Sequence, residues 1–355
     1  MNRNFISIIA APPDDRRDLF LATANRLGTT LQNIEKDFWV CWVIDLLFNG
    51  RNPNEPRLLF KGGTSLSKAY GLISRFSEDI DITVFREDLG HDLTETNLIG
   101  LSRKQQSKQL DAIKKTCQAY IQHQLKLRLS QQIQDTFDEV GIFFQDPVVL
   151  DADDPDQQTL LMHYPSVISG QYYVRPSVKI EAGAKSALDP HQKIAINPYL
   201  SEDIMPSTDF LVRDVITIKA ERTFWDKIII LHGLRAWFDN RGELRQQGHR
   251  ISRHYYDVFK LLQADIGKLA QVNDALALDC AHHAQLFFNR VGMDLEKARP
   301  GSFKLAPAVG MADTLKRDYQ SMSSMIFGHT PDFENIIQAI HEFEERINTG
   351  SLSRT

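Results

Sequence analysis

Cysteine is scarce in this chain: 3 among 355 residues, at Cys41, Cys117 and Cys280, far apart and never in CxxC spacing. That argues against a thiolate metal site and for a reducing compartment. No uncharged apolar run is long enough to span a bilayer. The apolar patch Phe5–Ala11 is short and runs straight into Pro12-Pro13-Asp14-Asp15, which makes a poor signal peptide. The expected location is the cytoplasm. HExxH, the P-loop Gly-Lys-Ser and GxGxxG are all missing, which removes zinc-protease, P-loop ATPase and dinucleotide readings. An excess of positive charge is missing as well. The net charge is −5, so any nucleic-acid site must be a local basic patch. Neither an internal repeat nor a low-complexity tract is present.

What remains is an ordinary globular composition, 42% hydrophobic and 25% charged, on a chain long enough for two domains or one large one. The most informative stretch is Leu58–Val84, LLFKGGTSLSKAYGLISRFSEDIDITV. Leu58, Leu59 and Phe60 form an apolar run that stops at Gly62-Gly63-Thr64. Leu66, Ala69, Tyr70 and Ile73 then recur at helical spacing, and Asp79-Ile80-Asp81-Ile82-Thr83-Val84 alternates with period two. The pattern predicts strand, Gly-Gly turn, helix, strand, with Asp79 and Asp81 on the face opposite Ile80, Ile82 and Val84.

Two carboxylates side by side on a strand face repel each other unless a cation lies between them. Oxygen donors of this kind suit Mg²⁺, which takes one or two carboxylates and completes its shell with phosphates and water. The Gly-Gly turn lets backbone N–H groups approach a phosphate with no Cβ in the way. An isolated Asp-x-Asp reads as two solvated acids. With a Gly-Gly-Thr turn fifteen positions earlier it reads as nucleotide chemistry. Nucleotidyl transfer needs a grip on the departing phosphates, and two cations roughly 4 Å apart to stabilise the attacking and leaving oxygens. Gly63 and Thr64 are the candidates for the grip, Asp79 and Asp81 for the metal.

This unit resembles the polymerase-beta-like nucleotidyltransferases, and more specifically the AbiEii family of nucleotidyltransferase toxins, relatives of the MenT toxins. The resemblance is carried by KGGTSLSKAYGLISRFSEDIDI and by Ile34-Glu35-Lys36-Asp37-Phe38-Trp39 upstream. It continues through Val178-Lys179-Ile180-Glu181, Thr223-Phe224-Trp225-Asp226-Lys227, Arg253-His254-Tyr255-Tyr256-Asp257 and Met325-Ile326-Phe327-Gly328 to the helix Phe333–Asn348. It implies an α/β nucleotidyltransferase core with a small mixed sheet, then a mostly helical C-terminal domain. The expected domains are 1–200, catalytic, and 201–355, helical, with Lys227 and Asp257 contributed by the second. It also implies Mg²⁺ as cofactor, an NTP as substrate and a separately encoded antitoxin as partner, in a toxin–antitoxin or phage-defence pair. The implied reaction passes NMP to a hydroxyl, with the tRNA 3′ end as acceptor. The residues do not read the acceptor, so a protein or small-molecule hydroxyl stays open, as does a nucleotide-binding module without turnover.

Other positions divide between roles. Glu181 lies with Lys179 on one strand face; it is either a third metal ligand, a general base, or half of a solvated Lys–Glu pair. Lys227 adjoins the stripe Phe224, Ile228 and Leu231. A lysine there either snorkels to water or, as the resemblance implies, meets the triphosphate, where a cation stabilises leaving charge. Asp257 is by resemblance a site acid that positions Lys227 or a metal-bound water; the alternative is a surface acid paired with Arg253. Glu35, Lys36 and Asp37 match the family without revealing a chemistry. His282 and His283 point about 100° apart on a helix and read as surface histidines.

Two basic stretches compete for RNA. One runs from Arg103 to Arg128 along the face of an expected helix. The other is Arg235, Arg241, Arg245, Arg250 and Arg253, with Trp237 and Phe238 as aromatic surface. Further elements expected are helices at Asp15–Arg26 and Thr30–Phe48, a long surface helix over Leu101–Gln132, and strand character at Gly170–Gly183. Pro190–Ser207 reads as a loop-rich boundary, and the chain is mostly helical from Val215 onward.

Overall fold

The computed structural model describes residues 2–168, 176–204 and 208–350. The chain forms two compact units. The first comprises residues 1–69, 76–93 and 102–218; the second comprises 70–75, 94–101 and 219–355.

The first unit is built on one seven-stranded mixed sheet. Its strands are β1 (Leu58–Lys61), β2 (Asp79–Val84), β3 (Val148–Leu150), β4 (Thr159–His163), β5 (Ser177–Gly183), β6 (His191–Ile196) and β7 (Val212–Ile218), in the order β3-β4-β5-β2-β1-β7-β6. β2 lies at the centre, antiparallel to β1 and parallel to β5. Its inward residues Ile80, Ile82 and Val84 are fully buried, while Asp79 and Asp81 are half-buried on the other face.

Three helices lead in: α1 (Asn4–Ile9), α2 (Pro13–Leu27) and α3 (Leu31–Phe48). α3 is mostly apolar, and every residue from Asn33 to Leu47 is buried. A helix of that composition belongs inside a core. Phe38, Trp39 and Trp42 fill that core, with the Trp39 ring stacked on Tyr164 at 5.1 Å. α4 (Gly62–Lys68) follows β1 directly. The helix predicted over Leu66–Ile73 thus begins at the glycines and ends early.

Two other expectations are corrected. Leu101–Gln132 is largely helical and exposed on one side, as expected, but it is not one regular helix and it also carries a buried stripe. It forms α6 (Arg103–Ala119), reached after α5 (Glu95–Ile99), then a π-helical stretch Tyr120–Leu125 and α7 (Lys126–Glu139). This rod buries Ile113, Cys117, Ile121, Leu125, Leu129, Ile133 and Phe137 against the core. Pro190–Ser207 is not all loop, because β6 occupies 191–196. It is an edge strand whose exposed residues leave no apolar alternation to read. Of the predicted strand Gly170–Gly183, positions 170–175 lie outside the described residues, and β5 occupies the rest.

The second unit is helical: α8 (Ala220–Arg241), α9 (Ser252–Gln263), α10 (Asp265–Gln271), α11 (Asp274–Phe287), α12 (Val309–Met322) and α13 (Phe333–Thr349). α13 buries one stripe, Phe333, Ile336, Ile340, Phe343 and Ile347, at helical spacing. Residues 70–75 join this unit: Arg75 bridges to Ile326, and the Phe327 N–H donates to the Ser74 carbonyl at 2.7 Å. Among the described residues, no helix is long and apolar enough to cross a membrane.

Candidate functional site

The turn after β1 depends on Gly62. Its φ is +79°, and a Cβ there would fall 2.0 Å from Asp81 Oδ2. An L-side chain is excluded twice, by the backbone and by the acid pressed against it. β1 and β2 pair with Lys61 opposite Asp81, and Lys61 Nζ lies 3.9 Å from Asp81 Oδ1. Gly63 sits at the start of α4 beside this contact.

Thr64 is fully buried. Its hydroxyl donates to the Asp79 carbonyl and is hydrogen-bonded to Ser77 Oγ at 2.8 Å. The side chain expected at the phosphates is therefore turned inward, where it ties the glycine turn to the acid strand.

Across β2 and β5, Asp81 is in register with Glu181 and Asp79 with Lys179. Lys179 Nζ pairs with Glu181 at 2.8 Å and reaches Asp151 at 3.6 Å. Burial opposes the Lys179 charge, but Glu181, Asp79 and Asp151 together raise its pKa. This strip of acids is thus interleaved with lysines. Among the described residues, no three His, Cys, Asp or Glu side chains gather into a group able to hold a metal ion. Asp79 and Asp81 do fit a hard divalent cation in chemistry. They are oxygen donors on one strand face, and the glycine turn lies against one of them with no Cβ between.

Behind the acids lies a clamp built from Glu35, Lys36 and Asp37, which the sequence singles out as buttresses of the site without revealing their partners. Glu35, Lys36 and Asp37 follow one another on α3, so each points a different way, and each reaches a different part of the unit. Glu35 accepts from Ser166 Oγ and from the Val167 N–H, both at 2.7 Å. Lys36 Nζ meets Glu78, the residue before Asp79, at 2.5 Å. Asp37 accepts from Lys68 Nζ at 2.7 Å through one oxygen and from the Tyr199 N–H at 2.7 Å through the other. Lys68 closes α4, and its ammonium lies 3.5 Å from the centre of the Tyr199 ring. Burial works against the charge on Lys68, but Asp37 leads the groups that outweigh it, and its pKa rises. Burial opposes ionised Asp37 as well. Because both of its oxygens accept, we assign a charged pair. A buried charge survives only when paired in this way; Lys36 and Asp37 each have an opposite charge, while Glu35 is held by neutral donors and burial raises its pKa.

In the second unit, Lys227 and Asp257 come together, with Arg75 as a third member that sequence reasoning missed. Asp257 is fully buried. Arg75 donates from Nε at 2.7 Å and Nη2 at 2.9 Å to its two oxygens, and Lys227 Nζ lies 2.8 Å from Oδ2. Asp257 is therefore neither a surface acid nor paired with Arg253. Burial disfavours its charge, yet Arg75 and Lys227 outweigh that and hold the carboxyl far below the usual range. The Lys227 pKa moves down, because burial exceeds the pull of Asp257 and Arg75 adds repulsion. The two directions agree once Asp257 is seen to serve two cations. Lys227 is left with an ammonium only partly neutralised. The adjoining His254 is half-buried, and desolvation, followed by the charges of Lys227 and Arg253, lowers its pKa well below the usual value and keeps the imidazole neutral.

His282 keeps a side chain 42% exposed, as expected of a surface histidine, but His283 does not. His283 is buried and stacked on Phe287, and the Nδ1 atoms of the two rings lie 2.9 and 3.0 Å from the two oxygens of Glu95. The three cysteines are buried and free; burial pushes the Cys117 thiol up to about 12.

A family model described as nucleotidyl transferase AbiEii toxin, type IV toxin–antitoxin system, matches residues 45–345. Among solved structures, the chain is similar to MenT4, a nucleotidyltransferase toxin from Mycobacterium tuberculosis H37Rv. That pair is 16% identical with a TM-score of 0.41, over 95% of this chain and 98% of the other. No curated protein matches the chain. The match over residues 45–345 takes in the Gly-Gly-Thr turn, both strand acids, Lys227 and Asp257, and the chain belongs to the AbiEii family of nucleotidyltransferase toxins.

Proposed function

We propose that this enzyme transfers a nucleoside monophosphate from an NTP to the hydroxyl at an RNA 3′ end, tRNA being the acceptor class, and releases pyrophosphate. The observation that carries the reading is the contact between Gly62 and Asp81: a turn stripped of side chains pressed onto a strand acid, with Asp79 on the same face. Asp79 and Asp81 would hold a divalent cation, read as Mg²⁺, which would supply positive charge to offset the negative charge that develops during transfer. Backbone N–H groups at Gly63 would face the departing phosphates. Thr64 contributes by holding the Asp79 backbone against α4.

Glu181 is proposed as the third acid, a ligand or the base for the attacking hydroxyl. In that role it must exchange its 2.8 Å pair with Lys179 for substrate or cation. The parts given to Lys227 and Asp257 come from the family resemblance: a cation for the charge on leaving pyrophosphate, and an acid that positions it. Their 2.8 Å pair, shared with Arg75, supports a fixed place for the ammonium. Family membership supports a separately encoded antitoxin as partner and a place in phage defence.

The test is pyrophosphate release from each NTP with RNA present. Both chelation of divalent cations and Asp81→Ala should reduce it to background. Release at the full rate from Asp81→Ala would end the proposal.

A further inference from the structure

Of the five arginines spread from 235 to 253, the structure separates one group. Trp237, near the end of α8, lies beneath two guanidinium groups, with Arg241 Cζ 4.5 Å and Arg245 Cζ 5.5 Å from its ring centre. Arg290, which follows α11, adds a third positive charge that acts on Arg245. Gly292 keeps the turn after Arg290 close. Its φ is +96°, and a Cβ there would meet Arg241 Nε and the Trp237 ring at 3.6 Å. Arg235 is outside the group, since it is spent on Asp239 at 2.8 Å and on the Ala306 carbonyl.

Two nearby acids are occupied elsewhere, and exposed Glu243 makes no ion pair with the arginines among the described residues. Asp239 is shared by Arg235 and Lys304, and Asp294 is held by Lys297 at 3.1 Å. Among the described residues, none of Arg241, Arg245 and Arg290 makes an ion pair. The polar contact of Arg245 is a 3.9 Å approach to Met293 Sδ, a weak acceptor. Burial, and then the charge of Arg290, push the Arg245 pKa down. On a chain of net charge −5 this is a local concentration of positive charge without its own counter-ion. Guanidinium groups fixed against an indole are ordered in advance, so they lose little freedom on meeting an anion. The anion that best matches a planar fork of donors is a phosphate.

We propose that Arg241 and Arg245, held over Trp237, bind backbone phosphates of the RNA acceptor, with Arg290, two residues before the Gly292 turn packed against them, adding charge. This rests on the RNA reading given above. The phosphates of free NTP carry the same chemistry, and the test separates the two sources.

The test uses the full chain and a labelled tRNA-sized RNA, with equilibrium binding measured over a salt series. Arg241→Gln/Arg245→Gln and, separately, Arg290→Gln are compared with the parent. Each lost phosphate contact should make the slope of log affinity against log salt shallower by about 0.7 to 0.9. The double variant should bind RNA about tenfold more weakly or worse. NTP binding should not change. Arg241→Lys/Arg245→Lys should recover the slope but not the full affinity, since lysine keeps the charge and loses the fork. Unchanged RNA affinity and slope would overturn the proposal, as would an equal loss of NTP binding, which would assign the cluster to the nucleotide. If the parent labels RNA and the double variant matches it in slope, only this site falls. If the parent labels no RNA, the functional reading falls with it.

Discussion

Gly62 and Asp81 stand so close that a methyl group on Gly62 would lie 2.0 Å from the Asp81 Oδ2, in a turn whose φ of +79° already excludes side chains. The turn and the acid strand form one object, and displacing either displaces both. Gly62→Ala should therefore lower transfer by about 100-fold, the usual cost of moving reacting groups by an ångström. It should also destabilise the fold by more than about 1 kcal/mol. Pyrophosphate release and thermal unfolding measure the two effects, and near-parental transfer by a folded Gly62→Ala protein would show that the turn has no part in the reaction.

Asp257 keeps Arg75 and Lys227 together in a buried place. Asp257→Asn leaves both cations buried with no anion, which typically costs about 3 to 5 kcal/mol. Urea unfolding should show that loss even though the amide is the same size as the acid. A cost under about 1 kcal/mol would mean that solvent reaches the cluster.

The same carboxylate sets a pH dependence. Its folded pKa lies well below the ordinary value of about 3.9. The stability it confers is thus complete above that unfolded value and disappears as pH falls toward the folded one. The stability gap between the parent and Asp257→Asn should be level from neutral pH down to about pH 5 and should narrow below about pH 4. A gap that widens on acidification would have the wrong sign for this pairing.

Much of the first unit can be read from local spacing. β1, the glycine pair and the alternation Asp79-Ile80-Asp81-Ile82 announce themselves within one short stretch. What could not be read is pairing at long range. Lys36 finds Glu78 across 42 positions and Arg75 finds Asp257 across 182, and a lone charge in a sequence carries no mark of its partner. Lys61 and Lys68, by contrast, bracket the glycine turn and could have been noticed. The long helix from Arg103 was misjudged because its many Lys and Gln residues hide an inner face of Ile113, Ile121, Leu129 and Ile133. β6 was missed because an exposed edge strand needs no apolar alternation. Thr64 is recognisable from its motif, but only the fold shows that its hydroxyl is committed to Asp79.

The pair Asp37–Lys68 anchors α4 from behind, with side chains only 2% and 4% exposed. Asp37→Asn and Lys68→Met should each cost about 3 to 5 kcal/mol, because each leaves one buried charge alone. The double variant should cost less than their sum by about 0.5 to 3 kcal/mol, since it leaves neither charge behind. A double-mutant cycle by chemical unfolding gives this coupling directly. Strict additivity would mean that the two residues act independently.

The most direct measurement is label transfer. The purified protein is incubated with each radiolabelled NTP, Mg²⁺ and total cellular RNA, beside an Asp79→Ala protein. Label should enter tRNA-sized RNA from one or more NTPs with the parent, and none should enter with Asp79→Ala. Label entering protein, or RNA labelled equally by both proteins, would contradict the assignment of Asp79 and Asp81 as the acids of an RNA nucleotidyltransferase.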